Sequence, residues 1–333
     1  MTHLSGGDIV GFLIETGGMN QGRLVFSQIT DVFHREQFQR CVSKYPMPRT
    51  SRSFSARDQF LTMAFAQLTY RASLRDIEAF LAGNPNLYAM GIRGEPTRTN
   101  IAYANTNRIW RIYENFAQSL IKKVRPLYQN DPSPVALDEM VYAFDASTID
   151  LCLTLSPWAT FRKTKAAVKL HTMIDLRGSI PVFISITEGK VHDVNALDDL
   201  VAEPGSIYAL DRGYVDFSRL YRLHTDGGFF VTRAKKNMAF NVRQSRPVEK
   251  TTGLRCDQSI RLKTAKSKKD YPEALRRVSY TDATSGKRLV FLTNNFYLPA
   301  IKIAEIYKGR WQIELFFKWI KQNLRIKTSG LLH

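Results

Sequence analysis

Hydrophobic and polar positions change their period once along this chain, near residue 139. From Phe54 onward Phe60, Leu61, Ala64, Phe65 and Leu68 recur at intervals of three and four, the mark of an amphipathic helix. Ser73 then stands where an N-cap belongs, with Asp76 three positions later, and predicts a second helix over residues 74–81. Two helices joined by a short turn read either as a helix-turn-helix or as an ordinary αα-hairpin. A longer helix is expected from residue 99 to about 128, with Ile101, Ile109, Ile112, Phe116 and Leu120 on one side. Pro126, Pro132 and Pro134 mark a linker after it. Residues 1–18 are glycine-rich, lack periodicity and read as a loose leader.

Past residue 139 the apolar runs are short, as strands require. Residues 140–144 predict a buried strand ending in Asp145, and residues 206–210 predict another ending in Asp211. A hairpin is expected from residues 166–174 and 180–187 around the turn at Asp175 and Gly178, a short helix over 193–200, and further strands over 229–233 and 289–293. This order predicts an α/β fold with a mixed sheet. Pro299 opens one long C-terminal helix. On it Tyr307, Arg310, Glu314 and Lys321 follow at spacings of three, four and seven, which is one helical face, and Lys318 and Arg325 extend the stripe. Beside the stripe, Ile306, Ile313, Phe317, Ile320 and Leu324 form an apolar strip for docking on a core. A carboxylate framed by cations over about 21 Å of axis suits a metal ion and polyphosphate. A salt-bridged surface face, with Glu314 paired to Arg310 and Lys318, is the competing reading.

Charge narrows the choice of partner. The 333 residues carry 48 Lys and Arg against 30 Asp and Glu, a formal net charge of +18. Fourteen basic and four acidic residues fall between Arg233 and Arg277, so the cationic surface is concentrated there. Such a balance favours a polyanion, because each neutralised phosphate releases condensed counterions. Three distant cysteines, Cys41, Cys152 and Cys256, make neither a disulfide frame nor a zinc site and fit a reducing cytoplasm. No apolar run approaches the roughly 20 residues of a membrane span, and residues 1–8 lack a basic stretch followed by a hydrophobic one, so an unexported protein is expected. Walker A, GxGxxG, HExxH and GxSxG patterns are absent.

Two strand-end aspartates place carboxylates where open α/β sheets hold ligands. With Glu314 they make three acids on separate rigid elements, which two Mg²⁺ ions about 3.5–4 Å apart require for in-line phosphodiester displacement. Asp150, Asp175 and Asp193 compete as ligands, and His171 with His192 could pair on a metal. Asp145 as a turn cap and Asp211 as a turn residue paired with Arg212 are the structural alternatives.

The runs Asp145 to Thr148, Leu210 to Tyr214 and the Tyr307, Arg310, Glu314, Lys321 spacing together resemble the three DDE motifs of bacterial IS4-family insertion-sequence transposases. The stretches at Lys169 to Thr172, His192 to Asn195 and Phe229 to Lys235 are similar to the same proteins. The resemblance implies an RNase H-like catalytic core over 139–333 with a β-rich insertion at about 234–295, preceded by a helical DNA-binding domain over 19–134. It implies cleavage at element ends and strand transfer to target DNA, with Mg²⁺ or Mn²⁺, by at least a homodimer in a synaptic complex associated with the nucleoid. Asp145, Asp211 and Glu314 would hold two metal ions, and Tyr307, Arg310 and Lys321 would hold DNA, with Arg212, Lys318, Lys235 and Lys236 as further DNA contacts. The family's usual start resembles the text from Met19, and its C-terminal helical region has no counterpart after Lys327, so an upstream extension or a misplaced start codon, and a truncated copy, are expected. The alternatives are an inactive remnant that binds DNA and an RNase H-like nuclease without strand transfer.

Overall fold

Tyr142, Ala143 and Phe144 expose nothing to solvent, and neither do the four residues of the strand beside them, because helices cover both faces of the sheet they share. The computed structural model describes residues 23–46, 53–71, 73–128, 131, 135–151, 160–162 and 165–323. The expected leader, Pro132 and Pro134 of the linker, Cys152, Leu324, Arg325 and the chain end lie outside the described residues. Two compact units divide the chain, the first of described residues up to Leu120 and the second from Ile121 onward.

The first unit is helical: α1 (Val25–Thr30), α2 (Arg35–Val42), α3 (Ala56–Leu68), α4 (Leu74–Leu81), α5 (Arg98–Asn107) and α6 (Arg111–Val124), the last of which crosses into the second unit. Ser55 and Asp58 form a full capping box on α3, and the Ser73 hydroxyl accepts from Asp76 N on α4, as its position predicted. The single helix expected from 99 to 128 is instead α5, α6 and a 3-10 turn over Arg125–Tyr128. Arg108 causes the first break. Its backbone is extended, and its guanidinium donates to the carbonyl of Ser55 and the Oε1 of Gln59, at 2.8 and 2.9 Å. Tertiary anchoring overrides helical periodicity there.

Among its described residues the second unit is built on one ten-stranded sheet. Its strands are β1 (Val141–Leu151), β2 (Thr160–Arg162), β3 (Lys165–Asp175), β4 (Ile180–Glu188), β5 (Ile207–Leu210), β6 (Phe229–Arg233), β7 (Phe240–Arg246), β8 (Leu254–Leu262), β9 (Leu275–Thr281) and β10 (Arg288–Thr293). β4, β3 and β1 are antiparallel neighbours, then β5 and β6 follow parallel to β1, so the core order β4-β3-β1-β5-β6 is that of an RNase H-like fold. The insertion after β6 is β-rich, as expected, but forms no separate sheet. β10, β9, β8 and β7 extend the core sheet antiparallel from the β6 edge.

Alternation along the strands sorts the core into two layers. Tyr142, Phe144, Tyr208 and Leu210 pack with Leu220 and Leu223 of α7 (Phe217–Thr225) on one face. Val141, Ala143, Ile207 and Ala209 pack on the other with Ile303 and Ile306 of α9 (Ala300–Gly309) and Ile313 and Phe317 of α10 (Trp311–Asn323). α8 (Ala265–Asp270) lies between β8 and β9 in the chain.

Two expectations are corrected here. β1 does not end at Asp145 but runs on to Leu151, held by β3 alone after the parallel pairing with β5 stops at Phe144. The C-terminal helix is also two helices, separated at Arg310. There the bonding tightens to the third residue back, Arg310 N to Tyr307 O at 3.3 Å and Ile313 N to Arg310 O at 3.1 Å. Gly309 permits the close approach at this joint, since a Cβ there would lie 2.9 Å from Leu176 Cδ1 and 3.4 Å from Val135 Cγ2.

Candidate active site

Strand parity aims two of the acids. Asp145 shares a face with Val141 and Ala143, and Asp211 continues the face of Ile207 and Ala209, so both point toward α9 and α10. The register Phe144 to Leu210 leaves the two aspartates side by side, one strand spacing of about 4.8 Å apart. Asp211 is fixed from three sides. Its Oδ2 accepts Gly213 N at 3.2 Å, its Oδ1 accepts the Tyr307 hydroxyl at 3.4 Å, and its carbonyl accepts the Thr232 hydroxyl at 3.3 Å.

Arg310 ties the remaining acids together. Its Nη1 donates to Asp145 Oδ2 at 2.7 Å and its Nη2 donates to Glu314 Oε1 one turn along α10. The Arg310 side chain is only 12% exposed, and its guanidinium lies over the Tyr307 ring, 5.6 Å from its centroid. Tyr307 packs against Phe291 with centroids 5.0 Å apart. Five of the residues singled out by motif, Asp145, Asp211, Glu314, Tyr307 and Arg310, thus form one network drawn from β1, the end of β5, α9 and α10.

Burial sets the electrostatics. It pushes the Asp145 carboxyl above its ordinary value, with help from the charges of Asp211 and Glu314 and against the Ala146 amide and Arg310. Burial opposes the Asp211 charge as well, but the amides of Gly213 and Arg212 with Arg310 and Tyr307 outweigh it and hold this carboxyl below the usual range. Burial raises the Tyr307 hydroxyl, so it stays a donor.

The other predicted residues divide into two sets. Lys318 is exposed and makes no ion pair with Glu314 among the described residues, while Lys321 sits two turns past Glu314 on α10, about 10 Å along the axis. Arg212, Lys235 and Lys236 line a separate cavity beyond the ends of β5 and β6. Two of the competing acids are tied up by other partners. Asp175 caps the hairpin through Arg177 N at 2.9 Å and Asp193 lies 2.9 Å from Lys169. His171 is fully buried against the Thr187 hydroxyl, and Asp150 is exposed on β1. Sequence reasoning missed Thr232 and Gly213, whose roles follow only from pairing and turn geometry.

Residues 136–331 match the family described as Transposase DDE domain, over more than half of the chain. The chain belongs to this family. Residues 21–93 match a domain of unknown function, DUF4372. A Sinorhizobium fredii protein described as a transposase is 34% identical over 193 residues, covering 57% of this chain and 53% of that protein. A Geobacillus stearothermophilus protein described as the transposase for insertion sequence element IS5377 is 29% identical, covering 55% of this chain and 48% of the relative. A Synechocystis protein described for insertion sequence element IS4SA is 32% identical, covering 48% and 45%. The chain spans about half the length of the curated relatives it matches.

Domains of the DDE family generally depend on divalent metal ions. Among the described residues no group of three or more His, Cys, Asp or Glu is arranged as a ligand set, and the Arg310 guanidinium bonds both Asp145 and Glu314. The donor chemistry nevertheless fits. Carboxylates are hard oxygen ligands suited to Mg²⁺ or Mn²⁺, and Asp145 and Glu314 already hold a positive charge in common. No helix among the described residues is long and apolar enough to cross a membrane.

Proposed function

We propose that this chain carries the catalytic part of a DNA transposase that cuts at the ends of its element and joins the freed 3′-hydroxyl to target DNA. One observation carries the reading: in a DDE-family chain, Arg310 draws Asp145 of β1 and Glu314 of α10 to one place, while Tyr307 from α9 reaches Asp211 beside them. Asp145, Asp211 and Glu314 are the metal ligands in this reading, and two Mg²⁺ or Mn²⁺ ions fit the charge of three acids. Bound metal would lower the pKa of the attacking water or hydroxyl and polarise the phosphoryl oxygen.

The chain's own groups supply orientation. Arg310 presents a planar fork that matches a phosphate as well as a carboxylate, and the exchange of one for the other positions the cleaved strand. Tyr307 donates a hydrogen bond, Lys321 and Lys318 offer point charges further along α10, and Arg212, Lys235 and Lys236 hold the strand beyond β5. The helical first unit, a homodimer in the synaptic complex and residence on the nucleoid complete the proposal, and the Tyr-Arg-Glu-Lys spacing supports placement in the IS4 group.

The test uses purified protein, Mg²⁺, duplexes cut from the inverted repeats flanking the gene, and a target plasmid. Wild type nicks and joins, and Asp211→Asn and Glu314→Gln lose both steps. Undiminished activity in either variant would sink the assignment, and nicking without any joined product would instead favour a nuclease.

A further inference from the structure

The basic block between β6 and β10 is not uniformly solvated. A cavity of about 180 Å³ opens beyond the ends of β5 and β6, lined by Arg212, Arg233, Lys235, Lys236, Arg277 and Arg288 and by no carboxylate. Neighbouring residues on β9 show how selective the arrangement is. Arg276 points to one face and is fully paired, donating twice to the buried Asp257 at 2.8 Å. Arg277 points to the other face and meets only neutral acceptors, Gln258 Oε1 at 2.8 Å and the Cys256 thiol at 3.0 Å, with its guanidinium 5.3 Å from the Phe240 ring centroid.

The same holds for its neighbours. Arg288 donates to the Ser279 hydroxyl at 3.0 Å and Lys235 to the Val215 carbonyl at 2.9 Å. None of the six forms a salt bridge among the described residues. Cations held by neutral partners keep an uncompensated charge at the cavity, and an anion entering it would relieve their mutual repulsion.

Position links this cavity to the acids. Arg212 follows Asp211 directly, and Arg233 follows Thr232, which pairs with Leu210 across β5 and β6. Arg233 therefore stands beside Asp211 while lining the cavity, and its charge also acts on the Tyr307 hydroxyl. We propose that this cavity is a binding site for one backbone phosphate of an unpaired nucleic-acid strand, with Arg277 and Arg288 as its floor. A volume of about 180 Å³ is on the scale of one phosphodiester unit. The proposal rests on the reading above that the adjacent acids act on DNA.

The experiment measures binding of a fluorescent twelve-nucleotide oligothymidine to the full chain in EDTA over a salt series. Each phosphate contact to a single strand contributes about 0.7 to the slope of log K against log salt. Arg277→Gln with Arg288→Gln removes the grip on that one phosphate and should lower the slope by about 0.7, whereas Lys268→Gln with Lys269→Gln on α8 should leave it within error. The charge-retaining pair Arg277→Lys with Arg288→Lys should restore it. An unchanged slope in the glutamine pair, an equal loss in the α8 pair, or no restoration by lysine overturns the proposal. No metal or cleavage enters the measurement, so a cation pocket beside inert acids and an active triad without the pocket each leave their own signature.

Discussion

Replacing Arg310 by glutamine removes the charge that Asp145 and Glu314 share. Deleting one partner of a buried ion pair costs about 3–5 kcal/mol. Asp145 and Glu314 keep 22% and 36% of their side chains exposed, so water screens part of the change. A net loss of about 2 kcal/mol is expected after that discount. For a unit of this size that lowers the melting temperature by about 4–8 °C. The variant also leaves three carboxylates without the guanidinium, so Mg²⁺ should raise its melting temperature more than that of wild type. Scanning fluorimetry with EDTA and with Mg²⁺ reads both effects. Arg310→Lys should fall between, since a point charge cannot bridge two carboxylates as a fork does. If the glutamine variant melts with wild type in EDTA and gains no more from Mg²⁺, the guanidinium is not holding these acids together.

Other consequences are open to direct measurement. Asp211 has a folded pKa below its unfolded value, so its charge contributes stability that is full above about pH 4 and is lost as pH falls through the folded value. Asp211→Asn should therefore be less stable than wild type in urea at neutral pH and converge with it in acid, and parallel curves would contradict this. Asp257→Asn leaves Arg276, 4% exposed, without its partner and should cost about 3–5 kcal/mol, read as a lower urea midpoint. Gly309→Ala gains about 1 kcal/mol of helix propensity but drives a methyl to 2.9 Å from Leu176, so net destabilisation of about 1 kcal/mol is expected. A more stable alanine variant would show that the joint has room.

Much of the second unit was legible because its central strands are buried on both faces. Residues 229–233 coincide with β6, and 206–210 lie within one residue of β5, since a continuous apolar run leaves little choice of boundary. β7 was not legible. Asn241, Arg243 and Gln244 face water on an outer strand, and polar residues there carry no period of burial. Both helix breaks were hidden for another reason. They depend on Arg108 reaching Ser55 and on Gly309 fitting against Leu176, contacts that no local pattern encodes.

The site divides in the same way. Motif spacing named Asp145, Asp211, Glu314, Tyr307 and Arg310, but the bond from Arg310 to Asp145 spans 165 positions and appears only in the fold. Lys235 and Lys236 were named as DNA contacts. Their companions Arg277 and Arg288 were not, because strand parity decides which of the two arginines at 276 and 277 meets Asp257.

The shared parity of Asp145 and Asp211 divides this sequence into segments that can change length and segments that cannot. Adding or removing one residue within 141–145 or 207–211 turns an acid to the opposite face of the sheet, against α7 and away from α10. No compensating side chain repairs that. The chain between β6 and β10 obeys a looser rule, because each added hairpin only widens the sheet at the edge farthest from β1. Length variation can thus accumulate in the basic insertion and alter what the protein grips, while the geometry of the acids stays as it is.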